Sequence, residues 1–182
     1  MKKIILSLLL ITSLLNAEAG VYFGTGYAYN NETVTYDTFE DTISNNALRF
    51  KIGYGDRAAY AIEFSLDYVD NKSSIFDEGD GKKYGFNIEL LKAWDFNIFA
   101  NPFLKAGFGA GYLETPADIN NASLTYGSWN LGAGFFIPLN EHFDIEFTYE
   151  YKYVSYQKLD NNLTINPTSS LNIGYIGINY RF

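Results

Sequence analysis

The chain has 182 residues, no cysteine, a formal net charge of −8 at pH 7, and a heavy load of aromatics with 16 tyrosines and 15 phenylalanines. The missing thiols exclude a disulfide-stapled domain and a thiolate metal centre, and the acidic balance argues against nucleic acid as a partner. Beyond Leu15 no apolar run approaches the roughly 20 residues a membrane helix needs, so any passage through a bilayer has to be made by strands.

At the start, Lys2 and Lys3 precede an apolar stretch from Ile4 to Leu15, broken by Ser7, Thr12 and Ser13 and followed by Ala17-Glu18-Ala19. A basic start, an apolar run too short to span and small residues beyond it predict a cleavable secretory signal peptide over residues 1–19, not an anchor. With no cysteine after the run, lipoprotein processing is not expected. Without Lys2, Lys3 and Glu18 the remaining chain, 20–182, carries a formal charge of −9 and has no linker that would divide it.

Strict alternation then recurs along the chain. The first segment sets Val21, Phe23, Thr25 and Tyr27 against Tyr22, Gly24 and Gly26, and the second sets Leu48, Phe50, Ile52 and Tyr54 against Arg49, Lys51 and Gly53. In the third, Tyr60, Ile62, Phe64, Leu66 and Tyr68 alternate with Ala61, Glu63, Ser65 and Asp67. The fourth opposes Tyr84, Phe86, Ile88 and Leu90 to Gly85, Asn87 and Glu89; the fifth opposes Leu104, Ala106, Phe108, Ala110 and Tyr112 to Lys105 and three glycines. Trp129, Leu131, Ala133, Phe135 and Ile137 form one face of the sixth. The seventh alternates Phe143, Ile145, Phe147, Tyr149, Tyr151 and Tyr153 with Asp144, Glu146, Thr148, Glu150 and Lys152.

A period of two with one oily and one charged face describes half-buried strands. A charge facing lipid near the midplane costs up to about 4 kcal/mol, so the oily faces point outward and the charges inward. The predicted fold is all-β: an eight-stranded antiparallel up-and-down transmembrane β-barrel, with aromatics at both interfaces. Short connections are expected at Gly55-Asp56-Arg57, Trp94 to Asn97 and Pro138 to His142, and long polar ones at 30–46, 70–83, 114–125 and 157–169. Short turns and both termini then lie on the periplasmic side. A water-soluble barrel of the lipocalin kind would have its oily face inward, and the aromatic-rich strands argue for the membrane version.

The chain ends Tyr175-Ile176-Gly177-Ile178-Asn179-Tyr180-Arg181-Phe182. Gly177, Tyr180 and Phe182 resemble the terminal-strand signal read by the bacterial barrel-assembly machinery. The stretches 101–112 and Leu131-Gly132-Ala133-Gly134-Phe135 resemble the fifth and sixth strands of opacity-type and OmpA-like barrel domains. The resemblance is one of pattern and covers the chain beyond the leader. It implies an eight-stranded barrel of the bacterial outer membrane, in contact with its lipid and lipopolysaccharide, with no catalytic motif and with the barrel standing alone.

The lumen is expected to hold a charge network of Arg49, Lys51, Glu63, Asp67, Glu89, Lys105, Asp144, Glu146, Glu150, Lys152 and Arg181. Eight strands leave an interior only wide enough for side chains to fill, which favours a plug over a narrow ion path. No cofactor is implied. The single histidine, His142, falls in a short turn with no serine beside it, which disfavours a lipid-modifying hydrolase. Asp37, Glu40 and Asp41, then Asp77, Glu78 and Asp80, match no calcium loop and read as solvated acidic surface. Asn31, Asn71, Asn121 and Asn162 each begin an Asn-x-Ser/Thr triplet in an expected outer loop. The functional expectation is a structural or surface-interaction protein whose outer loops meet an extracellular ligand or host surface, the alternative being a small porin-like channel.

Overall fold

The computed structural model describes residues 19–36, 39–70, 81–114, 123–158 and 167–182. Eight strands follow in chain order: β1 (Gly20–Tyr36), β2 (Phe39–Gly55), β3 (Tyr60–Asp70), β4 (Lys82–Ala93), β5 (Asn101–Glu114), β6 (Ser123–Pro138), β7 (Phe143–Tyr156) and β8 (Thr168–Arg181). Each pairs antiparallel with its sequence neighbours, and β8 returns to β1, so the sheet closes on itself. Closure is what leaves no unpaired strand edge inside a bilayer.

The register fixes the barrel's shape. Following paired residues once round from Thr35 through Thr168, Ser155, Gly127, Ala110, Phe86, Leu66 and Phe50 returns to Thr25, a stagger of ten residues. A stagger of that size tilts eight strands by about 40° from the axis and leaves a lumen that side chains can fill.

The outward faces carry the apolar residues in every strand, for example Leu48, Phe50, Ile52 and Tyr54 in β2 and Phe86, Ile88 and Leu90 in β4, all exposed. Tyrosines and tryptophan ring the belt at the long-connection end: Tyr68, Tyr84 and Tyr112 lie side by side with centroids 5.4 and 4.9 Å apart, and Trp129 stands 5.7 Å from Tyr151. At the other end Phe182 meets Phe23 and Tyr180 edge-on at 5.7 and 4.9 Å. These are the interfacial girdles of a membrane barrel, and the charged faces turn inward, the reverse of a lipocalin.

One expectation is corrected. Residues 30–46 are not a long loop: β1 runs to Tyr36, β2 begins at Phe39, and the two pair in unbroken register from Gly20↔Gly55 to Tyr36↔Phe39. β-branched Thr33, Val34, Thr35, Thr42 and Ile43 favour extension, and the Thr33 and Thr42 hydroxyls lie 3.1 Å apart across the pair. β1 is also paired through Thr35 with Thr168 of β8. Hence Glu40, Asp41 and Asn31 sit on strands. Asp37, Asp77, Glu78, Asp80, Asn71, Asn121 and Asn162 lie outside the described residues.

The short connections follow the expected places. After Gly55, whose φ of 150° suits glycine, Asp56 accepts the Ala58 N–H at 2.6 Å. Asn97 adopts a left-handed φ of 56°, and its N–H donates to Asp95 at 2.7 Å. Asn140 Oδ1 accepts the N–H groups of His142 and Phe143 at 2.9 and 2.8 Å. In each, a short polar side chain replaces a backbone partner, which is why Asn and Asp recur in turns.

Candidate functional site

The inward faces of all eight strands converge on one filled lumen. Alternation places every second side chain there, so the eleven charged residues expected inside are all buried, and each makes at least one ion pair. They fall into linked groups.

Nearest the short turns, Arg181 Nε donates to Asp144 at 2.6 Å, and Asn179 Nδ2 bridges Asp144 and Glu146 at 2.6 and 3.1 Å. Lys51 joins Glu146 to Glu63, the latter at 2.9 Å. Tyr22 adds its hydroxyl, donating to Glu63 at 2.6 Å. Gly53, paired with Tyr22 across the ladder, makes this possible: a Cβ there would overlap the tyrosine ring.

Deeper in, Arg49 donates to Asp67 at 2.6 Å and to Glu150 at 2.9 Å. Lys105 spans Glu89 and Glu150 at 2.9 and 2.7 Å, and Lys152 reaches Asp67 at 3.3 Å. Asn130 donates to both Glu89 and Glu150, and Asn87 to Asp67 at 3.0 Å. The Tyr175 ring lies between the two groups, 5.3 Å from Arg49 and 5.6 Å from Lys51. A charge taken from water is tolerated only when it is paired and hydrogen-bonded, and nearly every carboxylate here has two partners.

Sequence reasoning missed a third group. Lys83 donates to Glu32 at 2.7 Å, Tyr156 reaches Glu32 at 3.3 Å, and the Lys83 ammonium stands 5.5 and 5.3 Å from the Tyr126 and Tyr156 rings. Glu32 and Lys83 lay in segments read as loop; the β-branched run 33–35 was the available signal that β1 continues. Asn130, Asn179 and Tyr22 were visible as inward positions but carry no charge.

Apolar side chains pack among the charges toward both ends of the lumen, with Arg181 still lining the short-turn mouth and the Glu32–Lys83 pair lying among residues of the outer cluster. Tyr22, Leu91, Phe103 and Phe136 cluster toward the short turns, with Phe103 and Phe136 stacked at 4.5 Å. Leu113, Leu124, Val154, Leu171, Ile173 and Tyr175 cluster toward the opposite end. The cavity between Arg49 and this second cluster measures only about 20 Å³, room for about one water.

The short-turn mouth opens into a cavity of about 440 Å³ lined by Asp56, Arg57, Glu141, His142, Arg181 and Phe182 among others, with no serine, threonine or cysteine among the described residues that line it. His142 Nδ1 lies 3.0 Å from the Arg181 carbonyl, and its ring stacks on Tyr180 at 5.8 Å. It anchors the end of the chain to the turn, and the described residues at the cavity form no nucleophile and base pair. Among the described residues no three acidic, histidine or cysteine side chains gather as metal ligands. Of the terminal-strand residues, Gly177 faces inward against Tyr175, Tyr180 faces outward, and the Phe182 N–H donates to the Val21 carbonyl at 3.1 Å. The end of β8 is thus stitched to β1 at the seam.

No family model matches the sequence, and no curated protein matches it. Solved structures do. Neisserial surface protein A (NspA) superposes with a TM-score of 0.66 at 14% identity, over 90% of this chain and 99% of that one. The outer membrane protein AlkL, solved in lipid bilayers, gives 0.55 at 16% identity over 90% of each chain. Ail of Yersinia pestis, in complex with the heparin analogue sucrose octasulfate, gives 0.53 at 18% identity over 91% and 99%. The shared property is the fold, the closed eight-stranded barrel of bacterial outer-membrane proteins.

Proposed function

We propose that this protein is a sealed outer-membrane barrel that serves as a structural and surface-interaction element, presenting the β1–β2 hairpin and the outer connections to the exterior. The observation that carries this reading is the occluded lumen: a paired charge network packed with two apolar clusters, with a cavity of about 20 Å³ beside it. Such an interior supports rigidity rather than transport. The leader over residues 1–19 directs export in this reading, and the barrel-assembly machinery engages Gly177, Tyr180 and Phe182.

The hairpin suits recognition. Beyond Tyr29 and Leu48 its outward side chains turn polar, with Asn31, Thr33, Glu40, Thr42 and Ser44 available to hydrogen-bond. The Ail structure holds a sulfated heparin analogue; a chain of net charge −8 favours a partner that is not a polyanion.

Planar-bilayer conductance of refolded residues 20–182, with folding verified on an unboiled gel, tests the sealed lumen. Silence is expected, and reproducible conductance steps from the folded barrel would instead support the porin-like alternative. Replacing residues 34–41 by a two-residue turn, which spares Glu32 and its partner Lys83, should abolish binding to a partner surface while the barrel still folds; binding that survives the replacement would move the interaction away from the hairpin tip.

A further inference from the structure

On the outward face, from the middle of the apolar belt to the short-turn end, one charged side chain stands among the described strand residues: Lys92. Acids and bases at the opposite end, such as Asp70, Lys82 and Glu114, sit at the rim where water is available. Lys92 has no ion-pair partner among the described residues. Its ammonium instead lies 4.1 Å from the Tyr60 ring centroid and 5.9 Å from that of Trp94. A cation held against two aromatic faces at a membrane interface is placed at headgroup depth.

Lys92 also stands at one end of a groove. Tyr60, Lys92 and Leu104 occupy one row across β3, β4 and β5, and Ile62, Leu90, Ala106 and Leu131 occupy the next. Ala106 is the short side chain in a row of large ones, and the depression over it, lined by Tyr54, Ile62, Leu90, Leu104 and Leu131 and in the uncleaved chain also by Ala19, measures about 530 Å³ with an almost wholly apolar wall. A single cation beside an apolar channel is complementary to a molecule with one phosphate and a hydrocarbon chain.

We propose that Lys92 and this groove form a site for one anionic glycerophospholipid of the periplasmic leaflet. The ammonium holds the phosphodiester, and an acyl chain lies along Ile62, Leu90, Ala106 and Leu131. The short-turn end is periplasmic in barrels of this kind. A zwitterionic headgroup carries its own cation, which competes with Lys92 for the phosphate, so the preference is for a net negative lipid.

Native mass spectrometry of the folded barrel with equal amounts of phosphatidylglycerol and phosphatidylcholine tests this. The wild type retains one phosphatidylglycerol in preference. Lys92→Gln lowers that preference by about fivefold, as expected for one basic residue near an anionic headgroup, Lys92→Arg preserves it, and Ala106→Phe lowers retention of both lipids. Equal preference in wild type and Lys92→Gln would overturn the headgroup contact. Unchanged retention in Ala106→Phe would overturn the groove and reduce Lys92 to surface attraction. Heat-modifiability on an unboiled gel confirms that each variant is folded.

Discussion

The middle of the barrel and its outer end use the same alternation with different outward faces. At mid-height the outward side chains are Phe50, Phe64, Ile88 and Phe108, and the inward ones are Lys51, Glu63, Glu89 and Lys105. Toward the outer end Thr42, Ser44, Glu114, Thr125 and Ser155 face outward, while Leu113, Leu124, Val154 and Leu171 are buried inside. The backbone ladder is continuous through both regions; only the surrounding solvent changes, from hydrocarbon to water. Each region puts polar groups where they can be satisfied: inside the lumen by one another, as Lys83 and Glu32 still are at the outer end, and on the outward face of that end by water.

The comparison breaks most readily in the charged middle. Glu150→Ala removes the acid shared by Arg49 and Lys105. Leaving a buried charge without its partner costs about 3–5 kcal/mol, read as a lowered urea midpoint of the refolded barrel in vesicles. A midpoint within error of wild type would mean that water or rearranged neighbours compensate and that the network does not hold the lumen.

Arginine scanning of the outward face sharpens the contrast. Ile88→Arg, at the centre of the outward run of β4, should cost about 2–4 kcal/mol because the side chain meets hydrocarbon. Ser44→Arg, outward on the hairpin, should stay within about 0.5 kcal/mol. Equal costs at the two sites would place the membrane boundary elsewhere than between Tyr29 and Asn31.

The change of outward face also explains what was legible in the sequence. From Tyr60 to Tyr68 or Phe143 to Tyr153, large apolar and charged residues alternate with full contrast, and fold, register and the eleven lumen charges follow from that pattern and the cost of a charge in lipid. Between Asn30 and Asn46 the contrast fades, because Thr and Asn face water on one side while Glu32, Val34 and Ile43 mix polar and apolar on the other. Hydropathy therefore reads a loop where β propensity at Thr33-Val34-Thr35 keeps a strand. The Glu32–Lys83 pair was lost with it. Which carboxylate pairs with which cation depends on the ten-residue stagger, a property of the closed barrel and not of any one strand.

A smaller effect tests the close approach beneath the charged middle. Gly53→Val would force a side chain into the Tyr22 ring, displacing the hydroxyl from Glu63. Overpacking of this kind costs about 1–3 kcal/mol. Tyr22→Phe on the wild-type backbone, by contrast, removes only the hydrogen bond to Glu63, for about 1.5–3 kcal/mol since the acceptor is charged. If Gly53→Val is silent, the ring has another place to go and the lower apolar cluster is looser than its geometry suggests.

The least costly change addresses the hairpin itself. Thr33→Ala with Thr42→Ala removes one hydroxyl contact across the ladder, and a cross-strand pair of this type is worth about 0.2–1 kcal/mol. Because β1 is also paired with β8 as far as Thr35, the loss should stay local: faster amide exchange at residues 31–35 and 40–44, with the urea midpoint of the barrel unchanged. A matching fall in the global midpoint would show instead that the projecting hairpin and the embedded barrel unfold as one unit, and that the outer end stabilises the membrane part it rises from.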